Sequence, residues 1–307
     1  MTRWERVYRA IARKPADRVP KGEWQLAPGL IAGLLGKAGP VGWEDEVAAR
    51  VLLGMDLVTL VPADPAPAAG DPRGARLDYN SFSRWRNQTD FFIFALIDGP
   101  FQGVARRMDF TEFLLRVGGR DGSIKRWAFE EADLNIEVAR YCLQNGAHGV
   151  IIADDIAYTR GLYVNPSLLR EIFLPLWRRQ VEALKAGQVP VFFHSDGRIM
   201  SLLPDLVAAG FTGLHSLEPT AGMDIARIKK EYGAALCLWG NFDLDFLVRA
   251  AEEEIAASVK GLMAVAAPGG GFIFSTSSGC LGDELPPAKV LALYRAGHEY
   301  GVYRNAL

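Results

Sequence analysis

The chain has 307 residues and only three cysteines, Cys142, Cys237 and Cys280, which lie far apart in the sequence. An odd and sparse set of cysteines excludes a disulfide framework and fits a reducing compartment. No apolar run is long enough to form a transmembrane helix. The first residues are charged and amphipathic, without the apolar segment of a signal peptide. Together these features predict a cytoplasmic protein.

Neither sign of charge is in excess, since 34 basic residues face 36 acidic ones and the net charge is −2. The chain therefore lacks the basic surplus of nucleic-acid-binding proteins. It also lacks the P-loop, G-x-S-x-G, CxxC and HExxH motifs. Half of the residues are hydrophobic and 23% are charged, which excludes disorder over most of the length. Neither nucleic acid nor a membrane is an expected partner.

What the sequence does contain is a series of short apolar runs separated by helical patterns. Eight runs have the composition of strands buried on both faces, and they cover 22–26, 57–61, 91–97, 149–153, 189–194, 212–217, 235–240 and 271–275. Strand and helix alternating eight times predict an α/β fold, a (β/α)₈ TIM barrel forming one domain over 1–307. An open doubly wound sheet is the alternative, but its glycine-rich phosphate turn is missing after the first strand.

Two segments do not fit this repeat and are predicted to be insertions after strands 2 and 3. Residues 63–90 have the composition of a loop followed by a hairpin. Residues 104–130 form a further excursion before a helix predicted over 131–144. Insertions beside a barrel often form lids or walls of a substrate site, although ordinary surface decoration is equally compatible with the sequence.

Polar residues collect where the predicted strands end, which is where barrel enzymes have their chemistry. The set comprises Glu23, Asp64, Asp98, Asp155, His194, Asp196, Glu218, Asn241 and Cys280. Capping of the following helices explains some of them equally well. We expect five members to contact a small-molecule substrate, namely Glu23, Asp64, Asp98, Glu218 and Asn241.

The strongest candidates are His194 and Asp196, because a buried apolar run ends in His194 and a residue two positions later can point to the same side. Such a pair suits a divalent metal ion, or a general base with its orienting carboxylate. Cys280 follows the last strand and could reach the same mouth, although a structural cysteine is equally compatible. We expect Asp155, His194 and Asp196 to be catalytic, and His215 to be structural.

A longer series of motifs runs through nearly the whole chain. It comprises Arg9-Ala10-Ile11, Pro15-Ala16-Asp17-Arg18-Val19-Pro20, Asp154-Asp155, Asn165-Pro166, His194-Ser195-Asp196-Gly197, Leu217-Glu218-Pro219, Gly240-Asn241-Phe242-Asp243 and Gly269-Gly270-Gly271-Phe272. In this order the motifs resemble the uroporphyrinogen decarboxylase superfamily, which also contains cobalamin-dependent methyltransferases. The resemblance implies a (β/α)₈ barrel, in agreement with the strand count.

The resemblance leaves the reaction open. Uroporphyrinogen decarboxylases carry two arginines in the first strand that clamp the substrate carboxylates, whereas this chain has Lys21-Gly22-Glu23-Trp24-Gln25-Leu26 there. A polycarboxylate substrate needs such a basic cleft. The methyltransferase branch is therefore the preferred interpretation. A decarboxylase or lyase acting on a carboxylic acid is the second, and an inactive barrel that binds a ligand is the third.

In the methyltransferase branch, a His-x-Cys after the fifth strand and a cysteine after the last strand bind zinc. The resemblance therefore implies zinc at His194, Asp196 and Cys280, with Asp196 in place of the first cysteine. A carboxylate in place of a thiolate leaves zinc a harder Lewis acid, which suits polarising an oxygen atom. The implied reaction moves a methyl group from a small O-methyl or similar donor to a corrinoid. Glu23, Asp155, Glu218 or the substrate is the expected fourth ligand.

The sequence lacks an Asp-x-His-x-x-Gly cobalamin motif, so a corrinoid would arrive on a separate protein. That protein would dock at the mouth of the barrel. The candidate rim contacts are Arg84, Trp85, Arg86, Phe101 and Arg106, for which plain solvent exposure is the alternative.

Overall fold

The computed structural model describes residues 1–62, 80–185 and 187–303. The strands in these ranges are β1 (Gln25–Leu26), β2 (Leu57–Leu60), β3 (Phe92–Asp98), β4 (Gly149–Ala153), β5 (Ala157–Tyr158), β6 (Gly161–Leu162), β7 (Val191–His194), β8 (Gly213–Ser216), β9 (Cys237–Phe242), β10 (Phe272–Thr276) and β11 (Cys280–Leu281). One parallel sheet has the order β10-β9-β8-β7-β4-β3-β2. β1 pairs with β11, and β5 forms a small hairpin with β6.

Helices follow most of these strands. They are α1 (Arg3–Ile11), α2 (Pro28–Leu35), α3 (Trp43–Leu52), α4 (Asn80–Gln88), α5 (Pro100–Ala105), α6 (Phe110–Gly118), α7 (Gly122–Gln144), α8 (Pro166–Leu168), α9 (Leu174–Lys185), α10 (Leu203–Ala209), α11 (Ile225–Tyr232), α12 (Leu244–Arg249), α13 (Glu252–Ala266) and α14 (Pro287–Tyr300). Several begin at a side chain that caps the first turn, as Asn165, Asp224 and Asp243 do. None of the described helices is both long and apolar enough to cross a bilayer.

The sheet closes into a barrel through residues 20–22, which occupy the eighth position. The N–H of Gly22 donates to the carbonyl of Phe274, and the N–H of Asp56 donates to the carbonyl of Lys21. The backbone thus bonds to β10 on one side and to the start of β2 on the other. The predicted (β/α)₈ barrel is confirmed, with its first strand slightly earlier than the predicted 22–26.

The barrel interior is apolar in its lower and middle layers. These layers are filled by Leu57, Phe92, Phe94, Ile151, Phe192, Cys237, Trp239 and Ile273, and α1 adds Val7, Ala10 and Ile11 at the N-terminal end of the strands. Side chains two residues apart on a strand share a face. Phe192 points inward, so His194 points inward one layer higher. A larger apolar cluster fills the space between the sheet and the outer helices.

The segments predicted as insertions are helical where the structure describes them. Residues 63–79, with Asp64, lie outside the described residues. Residues 80–88 form α4, so the predicted hairpin is wrong. Phe82 and Trp85, three apart and therefore on one helical face, are both buried in the core. Within 104–130 lie α6 and the start of α7, which begins at Gly122 because the Asp121 carboxylate accepts the N–H of Ser123.

Candidate active site

Three ionisable side chains meet at the C-terminal end of the barrel strands. Asp155, His194 and Asp196 each offer one ligand atom, and these atoms lie within 4.8 Å of one another. His194 Nε2 is 3.5 Å from Asp155 Oδ1. The pairing of β4 with β7 brings them together, because the N–H of Asp154 donates to the carbonyl of His194 at 2.9 Å. Asp155, the residue after Asp154, therefore lies beside the imidazole of His194.

Hydrogen bonds from the protein fix both carboxylates. Asp155 Oδ1 accepts the backbone N–H of Asp196 at 3.0 Å, and Asp196 Oδ1 accepts the hydroxyl of Ser216 at 2.8 Å. Ser195 Oγ accepts the N–H of Ile156 and donates to the carbonyl of Asp196. Within the described ranges, the Oδ2 atoms of Asp155 and Asp196 have no hydrogen bond, so each carboxylate keeps one oxygen for another partner.

A second histidine lies directly behind His194. His194 and His215 are register partners on β7 and β8, and their Nδ1 atoms are 2.9 Å apart. Trp24 stacks on the His215 ring with centroids 4.4 Å apart and meets His194 edge-on at 4.3 Å. Trp239 closes the far side of His215 at 4.7 Å. His215, which the sequence suggests is structural, is therefore part of the candidate site.

Burial determines the charge state of the two imidazoles. It lowers the pKa of His194, although the charges of Asp155 and Asp196 act in the opposite direction. It also lowers the pKa of His215, and the neighbouring His194 lowers it further. The imidazoles are therefore neutral near pH 7, which is the form in which histidine binds a metal. Asp196 is exposed on one side, while protein atoms on the other side desolvate its carboxylate and raise its pKa.

Glu23 does not face the mouth. Its side chain is fully buried, and its carboxylate accepts the N–H and the hydroxyl of Thr276 at 2.7 and 3.1 Å and the hydroxyl of Tyr294 at 2.5 Å. Burial raises the pKa of Glu23 to about 7. All of these partners are protein groups, so Glu23 joins β10 to α14 within the wall of the barrel.

The other predicted substrate contacts are also held by the protein. Asp98, at the end of β3, pairs with Arg106 at the rim, and burial raises its pKa. Glu218 accepts the backbone N–H of Gly197 at 3.0 Å, directly after Asp196. Asn241 is buried and donates from Nδ2 to the carbonyl of Leu217 at 2.8 Å. These residues surround the cluster and hold the loops next to it. Asp64 lies outside the described residues.

Cys280 does not belong to the cluster. Among the described residues, no set of three close ligand atoms includes its sulfur, and the set formed with His194 and Asp196 has Asp155 instead. Cys280 lies on β11, which pairs with β1 outside the main sheet. Burial raises the pKa of its thiol, and the charges of Glu23 and Asp196 add to the shift. Of the expected ligands His194, Asp196 and Cys280, the structure thus brings the first two together, with Asp155 as their third close neighbour.

A small cavity opens beside Asp155. Its volume is about 280 Å³, and it is lined by Gln102, Ala105, Arg106, Phe110, Asp155 and Tyr163. The Phe110 and Tyr163 rings meet edge to face at 5.1 Å. Burial and the charges of Asp155 and Asp196 raise the pKa of Tyr163, so its phenol lies within electrostatic range of both carboxylates. Arg106 provides a positive charge at this wall.

Most of the expected rim contacts lie elsewhere. Trp85 and Phe101 are buried in the core. Arg86 packs beside Gly146, just before β4 and therefore at the opposite end of the barrel. Arg84 pairs with Glu44. Arg106 is the member of the set that lines the cavity.

The cluster fits a metal with an open coordination position. For zinc bonds of 2.0–2.1 Å, neighbouring ligand atoms of a tetrahedron are about 3.3 Å apart. This is close to the 3.5 Å between His194 Nε2 and Asp155 Oδ1, the oxygen that also accepts the N–H of Asp196. One imidazole and two carboxylates also suit Mn²⁺ or Fe²⁺. Without a metal, the same pair of His194 and Asp155 has the spacing of a base and its orienting carboxylate.

Two residues of the site have only weak signals in the sequence. His194 is the last residue of β7 and His215 is the third of the four residues of β8, and the parallel register makes them neighbours. The sequence shows a histidine near the end of each strand but does not give the register that pairs them. Tyr163 has no signal, because its position depends on the β5–β6 hairpin and on its contact with Phe110 from α6.

Comparison with known proteins agrees with this architecture. The profile of the family described as uroporphyrinogen decarboxylase (URO-D) matches residues 83–300. A methyltransferase from Methanosarcina mazei has a similar structure over 98% of this chain and 99% of its own, with a TM-score of 0.72 and 18% identity. An L-ribulose 3-epimerase is similar over 91% of this chain and 96% of its own, with a TM-score of 0.51 and 11% identity. At these identities the likeness concerns the fold.

No curated protein sequence matches the chain significantly. The family profile, by contrast, extends from α4 to the end of α14 and spans most of the chain. The chain therefore belongs to the uroporphyrinogen decarboxylase (URO-D) family.

Proposed function

We propose that the chain is a zinc-dependent methyltransferase that takes a methyl group from a small O-methyl donor and passes it to a corrinoid on a partner protein. The main support is the meeting of Asp155, His194 and Asp196 at the barrel mouth, beside a cavity. Further support comes from the family and from the similarity in fold to a solved methyltransferase.

The composition of the cluster favours an oxygen-linked donor. Two carboxylates and one imidazole form a hard ligand set, in contrast to a set that contains thiolates. When bound, zinc would supply Lewis acidity at the substrate oxygen. Ser216 and the backbone N–H of Asp196 hold the two carboxylates in place for it.

The cavity limits the size of the donor. A volume of about 280 Å³ accommodates a small molecule. Phe110 and Tyr163, whose rings meet edge to face, provide an aromatic wall, and Arg106, which also pairs with Asp98, provides N–H donors for a polar group of the donor. In the transfer, the bond between methyl carbon and oxygen breaks with its electron pair left on oxygen, and the oxygen then takes up a proton. The corrinoid of the partner protein would accept the methyl carbon, with the electron pair for the new bond supplied by its reduced cobalt.

The metal ligands are tested on protein purified without chelator and reconstituted with zinc. We expect about one zinc per chain, and its loss in His194→Ala and in Asp155→Asn. Cys280→Ser is the matched control, because it removes an expected zinc ligand that lies outside the cluster of Asp155, His194 and Asp196, and it should retain zinc. If the unaltered protein binds no zinc after reconstitution, the metal proposal fails. If Cys280→Ser loses zinc while Asp155→Asn keeps it, the ligand set implied by the family resemblance replaces ours.

The reaction is tested separately. Zinc-loaded protein is incubated with a panel of small methyl ethers and reduced cobalamin, and methylcobalamin is followed by its absorbance. We expect its formation with at least one ether and none with the His194→Ala variant. In parallel, release of CO₂ from uroporphyrinogen and from smaller carboxylic acids is measured. Release of CO₂ without methyl transfer would favour the decarboxylase or lyase, and neither product would favour a ligand-binding barrel.

A further inference from the structure

We infer that His215 is a positioning residue that holds His194 in the tautomer able to bind a metal through Nε2. The inference rests on the proposed metal centre and assigns a role in it to a side chain outside the ligand set. The contact that supports it is the 2.9 Å separation between the Nδ1 atoms of the two rings.

Two imidazole nitrogens at this distance share one proton. One Nδ1 donates an N–H and the other accepts it with its lone pair, since two N–H groups or two lone pairs would repel each other. Two arrangements are therefore possible for the neutral pair. In the first, His194 donates to His215. In the second, His215 donates to His194.

The two arrangements differ at the other nitrogen of His194, which points at Asp155 from 3.5 Å. If His194 donates from Nδ1, its Nε2 has a free lone pair directed into the cluster. If His215 donates, His194 must carry its proton on Nε2, and that hydrogen occupies the position of the metal. Binding of a metal at His194 thus requires His215 to be the acceptor.

The surroundings keep the His215 ring in place, so that its Nδ1 stays opposite that of His194. His215 is only 1% exposed and is held between Trp24 and Trp239. A side-chain carbon at Gly279 would be 2.8 Å from its Cε1 atom, so the backbone of this loop closely covers the ring edge. Among the described residues, Nε2 of His215 has no hydrogen-bond partner. The contact to His194 is therefore the single polar contact of the His215 ring in the described part of the chain.

The test compares two substitutions at the same position. His215→Asn keeps an acceptor, because Oδ1 of asparagine takes the place of Nδ1, whereas His215→Leu keeps the volume and removes the acceptor. We expect zinc affinity, measured by competition with a chelating dye, to fall about 10–100-fold in His215→Leu and to stay close to the original value in His215→Asn. Thermal unfolding of each variant establishes that it is folded.

A matched control comes from the other end of the barrel. His148 is another partly enclosed histidine, and its Nδ1 accepts the backbone N–H of Ile93 at 2.9 Å. His148→Leu therefore removes a similar acceptor far from the cluster, and zinc affinity should not change. Equal affinity in His215→Leu and His215→Asn would overturn the inference while leaving the metal centre intact. Absence of zinc binding in the original protein would overturn both.

A second measurement needs no substitution. Nitrogen-15 NMR of the histidine side chains in zinc-loaded protein distinguishes the two tautomers directly. We expect the proton on Nδ1 of His194 and on Nε2 of His215. A spectrum with the proton on Nδ1 of His215 would overturn the inference even if every variant behaves as expected.

Discussion

A carboxyl group inside an apolar wall changes its protonation because water no longer stabilises its charge. Glu23 is the clearest case in this chain, with an ordinary pKa of 4.5 raised to about 7 by burial. The hydroxyls of Thr276 and Tyr294 and the N–H of Thr276 oppose the shift without cancelling it. At neutral pH Glu23 is therefore close to the midpoint of its titration. The stability of the fold then depends on the protonation of this carboxyl group.

We predict that Glu23→Gln removes a pH dependence of folding. Between about pH 4.5 and 7 the folded chain keeps a proton on Glu23 that the unfolded chain has lost, so the free energy of unfolding falls as pH rises through this range. The glutamine side chain does not titrate, and its amide N–H can donate to the Thr276 hydroxyl. From pH 4 to 8 the variant should gain about 3 kcal/mol relative to the original protein.

Urea unfolding at several pH values measures this difference. Glu252→Gln, an exposed glutamate at the start of α13, is the control and should leave the pH profile unchanged. Parallel profiles for the Glu23→Gln variant and the original protein would show that folding does not raise the pKa of Glu23.

At the scale of elements, the turn after β7 brings Asp196 back over the barrel mouth. Gly197 makes this turn with a φ of +77°, a conformation that favours glycine. A side-chain carbon there would lie 2.6 Å from the backbone nitrogen of Tyr158. The turn and the β5–β6 hairpin are thus in backbone contact, and the N–H of Arg198 donates to the carbonyl of Tyr158.

We predict that Gly197→Ala destabilises the fold by at least about 2 kcal/mol and weakens zinc binding, because strain and collision both displace Asp196. Gly222→Ala is the matched control. Gly222 has a similar φ of +75° but no atom within 4 Å of the added carbon, so it reports the strain alone, about 1 kcal/mol. Urea unfolding and zinc titration compare the two. Equal losses in both variants would mean that the contact with Tyr158 adjusts without cost.

Most strands of the sheet and part of the candidate site can be predicted from the sequence. Buried apolar runs and helix caps identify seven strands of the sheet, and the polar ends of β4 and β7 identify Asp155, His194 and Asp196 as neighbours. The hairpin predicted within residues 63–90 is wrong for residues 80–88, because the burial of Phe82 and Trp85, which only the tertiary structure reveals, favours a helix. Cys280 follows the last strand of the sheet as predicted, but β11 pairs with β1, and no local pattern encodes that pairing, which keeps the sulfur out of the close group of ligand atoms.

At the scale of the whole molecule, one buried carboxylate holds the closure of the barrel. Asp56 is fully buried just before β2 and accepts hydrogen bonds from Arg6 at 2.6 Å, from Arg18 at 2.7 and 2.8 Å, and from the backbone N–H of Lys21 at 2.9 Å. These partners come from α1 and from the segment that occupies the eighth position of the sheet. Asp56 and these partners therefore join the first and second strands to the N-terminal helix.

We predict that Asp56→Asn lowers the free energy of unfolding by about 3–5 kcal/mol, because it leaves two arginines partly buried without their shared counter-ion. Zinc affinity of the folded protein should not change, since Asp56 and its arginine partners lie at the opposite end of the barrel from His194. Asp17→Asn is the control, because Asp17 pairs with the same Arg6 but is half exposed, and its loss should be smaller. A similar loss in both variants, measured by urea unfolding, would contradict this account.

The N-terminal helix also determines the route by which substrate and product reach and leave the site. Val7, Ala10 and Ile11 seal the base of the barrel, so reactant and product share the passage at the mouth. In the proposed reaction, the corrinoid protein must settle over the same opening through which the methyl donor enters. In that reaction the donor would have to enter first and the corrinoid protein bind second, and the demethylated product would leave only after the corrinoid protein has dissociated. An excess of the corrinoid protein would slow turnover, because it would cover the barrel mouth before the methyl donor has entered.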